Sequence, residues 1–112
     1  MNKQLERLNE IVKEYYSSTD PHGEQLTTWM KDMSSILFYL TTEQVKAHEL
    51  WNKKMYLGTQ AGSSVAAQTI ICDKEVPELY MLRKIIHAGY KELEVMRSSL
   101  SYLKSERVNT NE

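Results

Sequence analysis

Leu79, Leu82, Ile86, Gly89, Leu93, Met96, Leu100 and Leu103 recur at alternating steps of three and four. Residues 78–107 therefore carry a heptad seam, which predicts one long helix with a narrow apolar stripe. At 1.5 Å per residue such a helix spans roughly 45 Å, too long for the core of a compact small domain. It needs a partner along most of its length. A second seam supplies one: Leu26, Met30, Met33, Leu37, Leu40, Gln44, Ala47, Trp51 and Met55, widened by Trp29 and Ile36. This predicts a helix over residues 24–57. Thr41-Thr42-Glu43-Gln44 has the spacing of a capping box and offers a competing start, or a kink, at Thr41. The seam keeps its register across that point, which favours a continuous helix. Gln44 is a polar residue on the stripe; it either fixes register or is a solvated gap.

The remaining segments are shorter. Leu5, Leu8, Ile11, Val12, Tyr15 and Tyr16 fall at helical spacing between charged residues and predict an amphipathic helix over 3–16. The following run, Ser17 to Gly23, is rich in turn formers: Pro21 disfavours a helical Asp20 and Gly23 permits a positive φ. Gly58 to Gly62 ends the second helix. Residues 63–73 predict a short connecting helix through Val65, Ala66, Ile70 and Ile71, although the β-branched residues and Gly62 also suit an irregular link. Pro77 sits where a first-turn proline belongs, with Glu75 and Glu78 near the positive end of the last helix. Residues 108–112 have nothing to bury and are expected to fray.

The expected fold is all-α. It is a single helical domain over 1–112, with two long antiparallel helices, a short N-terminal helix and a short connector. Two helices leave apolar surface over, at Trp29, Ile36 and Tyr39 on one and at Tyr80, Ile85 and Tyr90 on the other. The N-terminal helix can cover part of this; the rest points to a helical-bundle homo-oligomer. Gly89 lies on the seam, which favours a point of close helix approach over a merely tolerated cost of about 1 kcal/mol.

Charge narrows the function without naming it. Residues 1–58 hold seven Lys/Arg against eight Asp/Glu, and residues 59–112 hold seven of each. No strongly basic domain is present, so any nucleic-acid binding must come from a local patch or from repetition in an oligomer. Cys72 is the one cysteine, which rules out an internal disulfide and fits a reducing cytoplasm. No apolar run approaches the length of a membrane span, Ile70-Ile71-Cys72 included, and residues 2–6 lack the apolar core of a signal peptide.

Catalysis finds little support. His22, His48 and His87 lie in a loop and on two helices, and none has a second metal-ligating residue at the i, i+4 spacing. There is no phosphate cradle and no nucleophile motif. A non-enzyme without cofactor or metal is expected. Two basic patches remain. Residues 79–91 carry Arg83, Lys84, His87 and Lys91 with no acid among them; residues 44–57 carry Lys46, Lys53 and Lys54 against Glu49, interleaved with Trp51 and Tyr56. Cations along phosphates and aromatic faces for stacked bases are what a single strand requires. The alternative is that Trp51 packs in the seam and the lysines are ordinary helix surface. Arg97, Ser101 and Lys104 share a face that would bind phosphate or pair with acids.

The order of features from Trp29 to Arg107 resembles the UvsY-type recombination mediators of tailed phages. The residues that carry the likeness are Trp29 to Gly58, closing on Lys53-Lys54-Met55-Tyr56-Leu57-Gly58, and Leu79 to Arg107, with Met96-Arg97-Ser98-Ser99-Leu100-Ser101-Tyr102-Leu103-Lys104-Ser105-Glu106. The resemblance implies a ring-like homo-oligomer in the host cytoplasm. It would bind single-stranded DNA and help load a RecA-like recombinase onto strands coated by single-strand-binding protein. The family's basic residues precede the aromatic-Gly turn, where Lys53 and Lys54 stand here at a different spacing. On this reading Lys46, Lys53, Lys54, Arg83 and Lys84 contact DNA, Trp51 or Tyr56 stacks, and the seam from Leu79 to Leu103 is the helix or oligomer interface. The even charge implies weak, salt-sensitive binding that an oligomer makes useful. The competing expectation is a small phage or mobile-element adaptor or inhibitor that binds a host protein and no nucleic acid.

Overall fold

A computed structural model of the chain describes residues 1–110, with side chains through residue 106. Four helices follow one another: α1 (Asn2–Ser17), α2 (Gly23–Gln60), α3 (Val65–Glu75) and α4 (Pro77–Thr110). The described residues contain no strand, so the fold is all-α. α2 is continuous through Thr41, and the capping-box spacing there starts no new helix. α4 runs to Thr110; the frayed end expected at 108–112 otherwise lies outside the described residues.

Local chemistry sets the boundaries. α2 closes in a Schellman arrangement, with Gly62 at φ +104° and two bonds recovering end carbonyls: Gly62 N–H donates to Thr59 O and Ser63 N–H to Gly58 O, both at 3.1 Å. Ser64 then caps α3, its hydroxyl accepting from the Ala67 N–H. Pro77 is the first residue of α4 and Glu78 lies in its first turn, as the sequence predicts. Gly23 does not use the freedom its lack of a side chain allows. It opens α2 with no positive φ, because Asp20-Pro21-His22 already makes the turn and Leu26 N–H reaches back to His22 O.

The helices build two compact units. The first holds Met1–Phe38 and the part of α4 from His87 onward. Its buried residues are Leu8 and Ile11 of α1, Leu26, Trp29, Met33, Ile36 and Leu37 of α2, and Leu93 and Met96 of α4. Full burial of each such aliphatic side chain contributes about 1.5–3 kcal/mol. Polar groups fix α1 over the others. Trp29 Nε1 donates to Glu14 Oε2 at 3.0 Å, and Arg7 lies 3.3 Å from Asp32. The Tyr15 hydroxyl meets Ser99 Oγ at 2.6 Å, and the Tyr16 hydroxyl donates to Glu92 at 2.6 Å. α1 thus covers Trp29, as the leftover apolar surface on α2 requires.

The second unit is Tyr39–Ile86. Ala47, Val76 and Leu79 form its core cluster, with Trp51 packed against it, and Leu40, Cys72, Leu82 and Ile86 are buried as well. α3 is held on α2 by Gln68, which is buried: its Nε2 donates to the Lys54 carbonyl at 3.1 Å. A Cβ on Gly58 would overlap that amide, so the glycine is what admits Gln68 to its seat.

Candidate functional site

The residues expected to meet a nucleic acid lie in the second unit, where the fold gives them different tasks. Trp51 is half-buried against Ala47, Val76 and Leu79, and its Nε1 donates to Asp73 Oδ1 at 3.0 Å. One ring packed on the core and tied at its N–H is a strut between α2 and α3 rather than an open stacking platform. Lys54 Nζ lies 3.0 Å from Glu75 Oε2, again bridging to α3. Lys46 pairs with Glu43 one turn earlier, at 3.3 Å. These three therefore have intramolecular partners that the sequence did not predict, two of them on α3.

Lys53, Tyr56, Arg83 and Lys84 stay on the surface. Lys53 and Arg83 are exposed and have no ion pair among the described residues, and Tyr56 is 63% exposed. Three residues apart, Lys53 and Tyr56 share one face of α2. Lys84 Nζ lies over the Tyr80 ring, 4.6 Å from its centre, a cation–π contact within α4. Arg83 lines a shallow groove with Asp73, Val76 and Tyr80. With Asp73 in its wall, that groove does not suit a phosphate. The α2 and α4 cations are joined by no hydrogen bond or ion pair among the described residues.

The seam proper is used within the chain. Leu79, Leu82, Ile86, Leu93 and Met96 are buried, Gly89 is buried beneath Leu37, and Leu100 and Leu103 are half-buried. Contacts with another subunit would fall to other side chains. In the second unit Val45, Leu57, Val65, Ile70 and Tyr80 are each more than half exposed; in the first unit Phe38, Tyr16 and Tyr102 are.

Among the described residues no group of three or more His, Cys, Asp or Glu is placed to hold a metal ion, and no helix is long and apolar enough to cross a membrane. Cys72 is buried, and Gln68 Nε2 points at its sulfur from 3.6 Å. The sequence reading missed the anchoring role of Gln68 and the pull of Asp73 and Glu75 on Trp51 and Lys54. Its available signal was weak: a glutamine and two acids in a segment otherwise small and apolar. Comparison with protein-family models, with curated proteins and with solved structures finds no match to this chain.

Proposed function

We propose that the chain is a non-enzymatic, self-associating helical protein that contacts single-stranded DNA and assists the loading of a RecA-like recombinase, the role implied by its resemblance to UvsY-type mediators. The supporting observation is that Lys53, Tyr56, Arg83 and Lys84 all remain at the surface of one unit, with no acid paired to them among the described residues. The ion pairs of Lys46 and Lys54 do not oppose this strongly. Both are partly or largely exposed, and such pairs contribute about 0–1 kcal/mol, small enough to be exchanged for phosphate. The acids left behind would still repel a strand. The unit carries six Lys/Arg against five Asp/Glu, so one copy binds weakly and several copies on one strand are needed.

Fluorescence anisotropy with a labelled single-stranded oligonucleotide, at low and moderate salt, tests the reading. Binding at low salt should weaken in Lys53→Ala and in Arg83→Ala/Lys84→Ala, with the salt slope falling by about 0.7 for each phosphate no longer neutralised. Absence of binding at low salt, or affinity unchanged in these variants, rejects it.

A second reading is a helical adaptor or inhibitor that docks on a host protein and ignores nucleic acid. It is favoured by the exposed apolar side chains of the same unit, Leu57, Val65, Ile70 and Ile71, and by the engagement of Trp51 and Lys54 inside the fold. The same titration separates the two.

A further inference from the structure

Among the described residues of the second unit, Lys54 is the cation whose ion-pair partner comes from another helix. Its Nζ lies 3.0 Å from Glu75 Oε2, and Glu75 is the last residue of α3. The chain around Glu75 has little freedom. Cys72 is fully buried, Asp73 accepts from the Trp51 indole, and Val76 is buried in the core cluster with Ala47 and Leu79. Lys54 is anchored as well, since its carbonyl accepts from Gln68 Nε2 at 3.1 Å. Packing of α3 on α2 therefore sets the carboxylate opposite the ammonium, and the pair forms without ordering the backbone of either partner. Lys46 differs. It pairs with Glu43 one turn away on α2, and its side chain is 67% exposed against 36% for Lys54.

The make-up of α3 fits a holding role. It buries Gln68 and Cys72 alone and leaves Val65, Ile70 and Ile71 exposed, so it adds little to the apolar core. What it supplies to α2 is polar: a donor to the Lys54 carbonyl, an acceptor for the Trp51 indole and an acceptor for the Lys54 ammonium. A carboxylate on a lysine ammonium takes the place a phosphate oxygen would take, because both are oxyanions held through charge-assisted N–H···O bonds.

We propose that Glu75 is a built-in competitor of the nucleic-acid phosphate at Lys54, through which α3 attenuates strand binding by the second unit. The inference rests on the single-stranded DNA reading given above. The Glu75 side chain is half-exposed and can turn into solvent while Asp73 keeps Trp51, so α3 stays in place when a strand takes Lys54. Lys53, the next residue, is exposed and has no ion pair among the described residues, so it is available in either state. Partly exposed pairs are weak, which makes Glu75 an attenuator of a few-fold rather than an on–off gate.

The test is a double-mutant cycle on the full chain, read by fluorescence anisotropy with a labelled single-stranded oligothymidine at low salt. Glu75→Gln removes the charge, keeps the side-chain length and should tighten binding about threefold. In a Lys54→Ala background the same change should alter affinity by less than about 1.5-fold, because nothing is left to unmask. Glu49→Gln controls for net charge: Glu49 is an exposed acid of α2 with no ion pair among the described residues, and its effect should be the same with and without Lys54. All three sites are exposed or partly exposed, so the variants should keep the helix content of the parent by circular dichroism. An equal gain from Glu75→Gln with and without Lys54 would reduce Glu75 to bulk charge and overturn the proposal, as would no gain where the parent binds. If neither the parent nor Glu75→Gln binds at low salt, the DNA reading itself fails and the competitor role goes with it.

Discussion

Leu37 closes over Gly89 so tightly that a Cβ on the glycine would stand 2.5 Å from Leu37 Cδ2. Leu37 is itself fully buried, so its methyl groups have little room to withdraw. The two helix backbones approach at this point because one of them carries no side chain there. Gly89→Ala sets two effects against each other. Alanine favours the helix by about 1 kcal/mol, whereas overpacking a filled core costs about 1–3 kcal/mol. A net destabilisation of about 1 kcal/mol is expected in urea unfolding. In the Gly89→Ala/Leu37→Ala double variant the vacated space accommodates the new methyl, and the combined destabilisation should be smaller than the sum of the two single ones.

Trp51 yields a prediction about stability and one about binding. Trp51→Phe removes the hydrogen bond to Asp73 while keeping an aromatic ring in the cluster. Asp73 is exposed and regains water, so the destabilisation should stay near about 1 kcal/mol by thermal unfolding; Trp51→Ala should cost about 3 kcal/mol or more. Because the indole is held inside the unit, saturating single-stranded DNA should leave Trp51 emission nearly unchanged. Strong quenching would mean that the tryptophan leaves Asp73 to stack on a base.

Alkaline pH should expose the phenol–carboxylate pairs. Tyr16 is raised above the ordinary value of 10.0, chiefly by its hydrogen bond to Glu92, and Tyr102 likewise by its bond to Glu106. The folded state therefore holds these protons more firmly than the unfolded chain does. Their stabilising effect is fully present below about pH 10 and disappears as pH climbs through the raised folded values. Tyr16→Phe/Tyr102→Phe should remove tyrosinate absorbance that develops above about pH 10 and should flatten the decline in stability there.

Self-association should appear as a solution mass above the 13.1 kDa of one chain. Since Leu79 to Met96 is buried within the chain, a charge placed at exposed Phe38 or Ile70, as in Phe38→Glu or Ile70→Glu, should reduce that mass while leaving helix content intact. A monomer at all concentrations in the parent chain would remove the oligomer from the proposed function.

The buried residues of α2 and α4 were legible because helix periodicity is a local property. Leu26, Met33, Leu37 and Leu40, and Leu79 to Met96, read directly as one face of each helix, and a side chain's place on that face depends only on its own neighbours in sequence. Caps and breakers were legible for the same reason, as at Pro77 and at the Gly62 turn, although α2 runs on through Gly58 to Gln60.

What the sequence determined by itself was therefore the set of helices, the stripe each one buries and the presence of a tight approach at Gly89. Tertiary structure alone decided which polar side chains are occupied. Trp51 meets Asp73 across 22 positions, Lys54 meets Glu75, and Tyr15 meets Ser99 across 84. Such partners depend on how the helices rotate and slide against each other. Many apolar residues sum to set that geometry, and no local spacing records it.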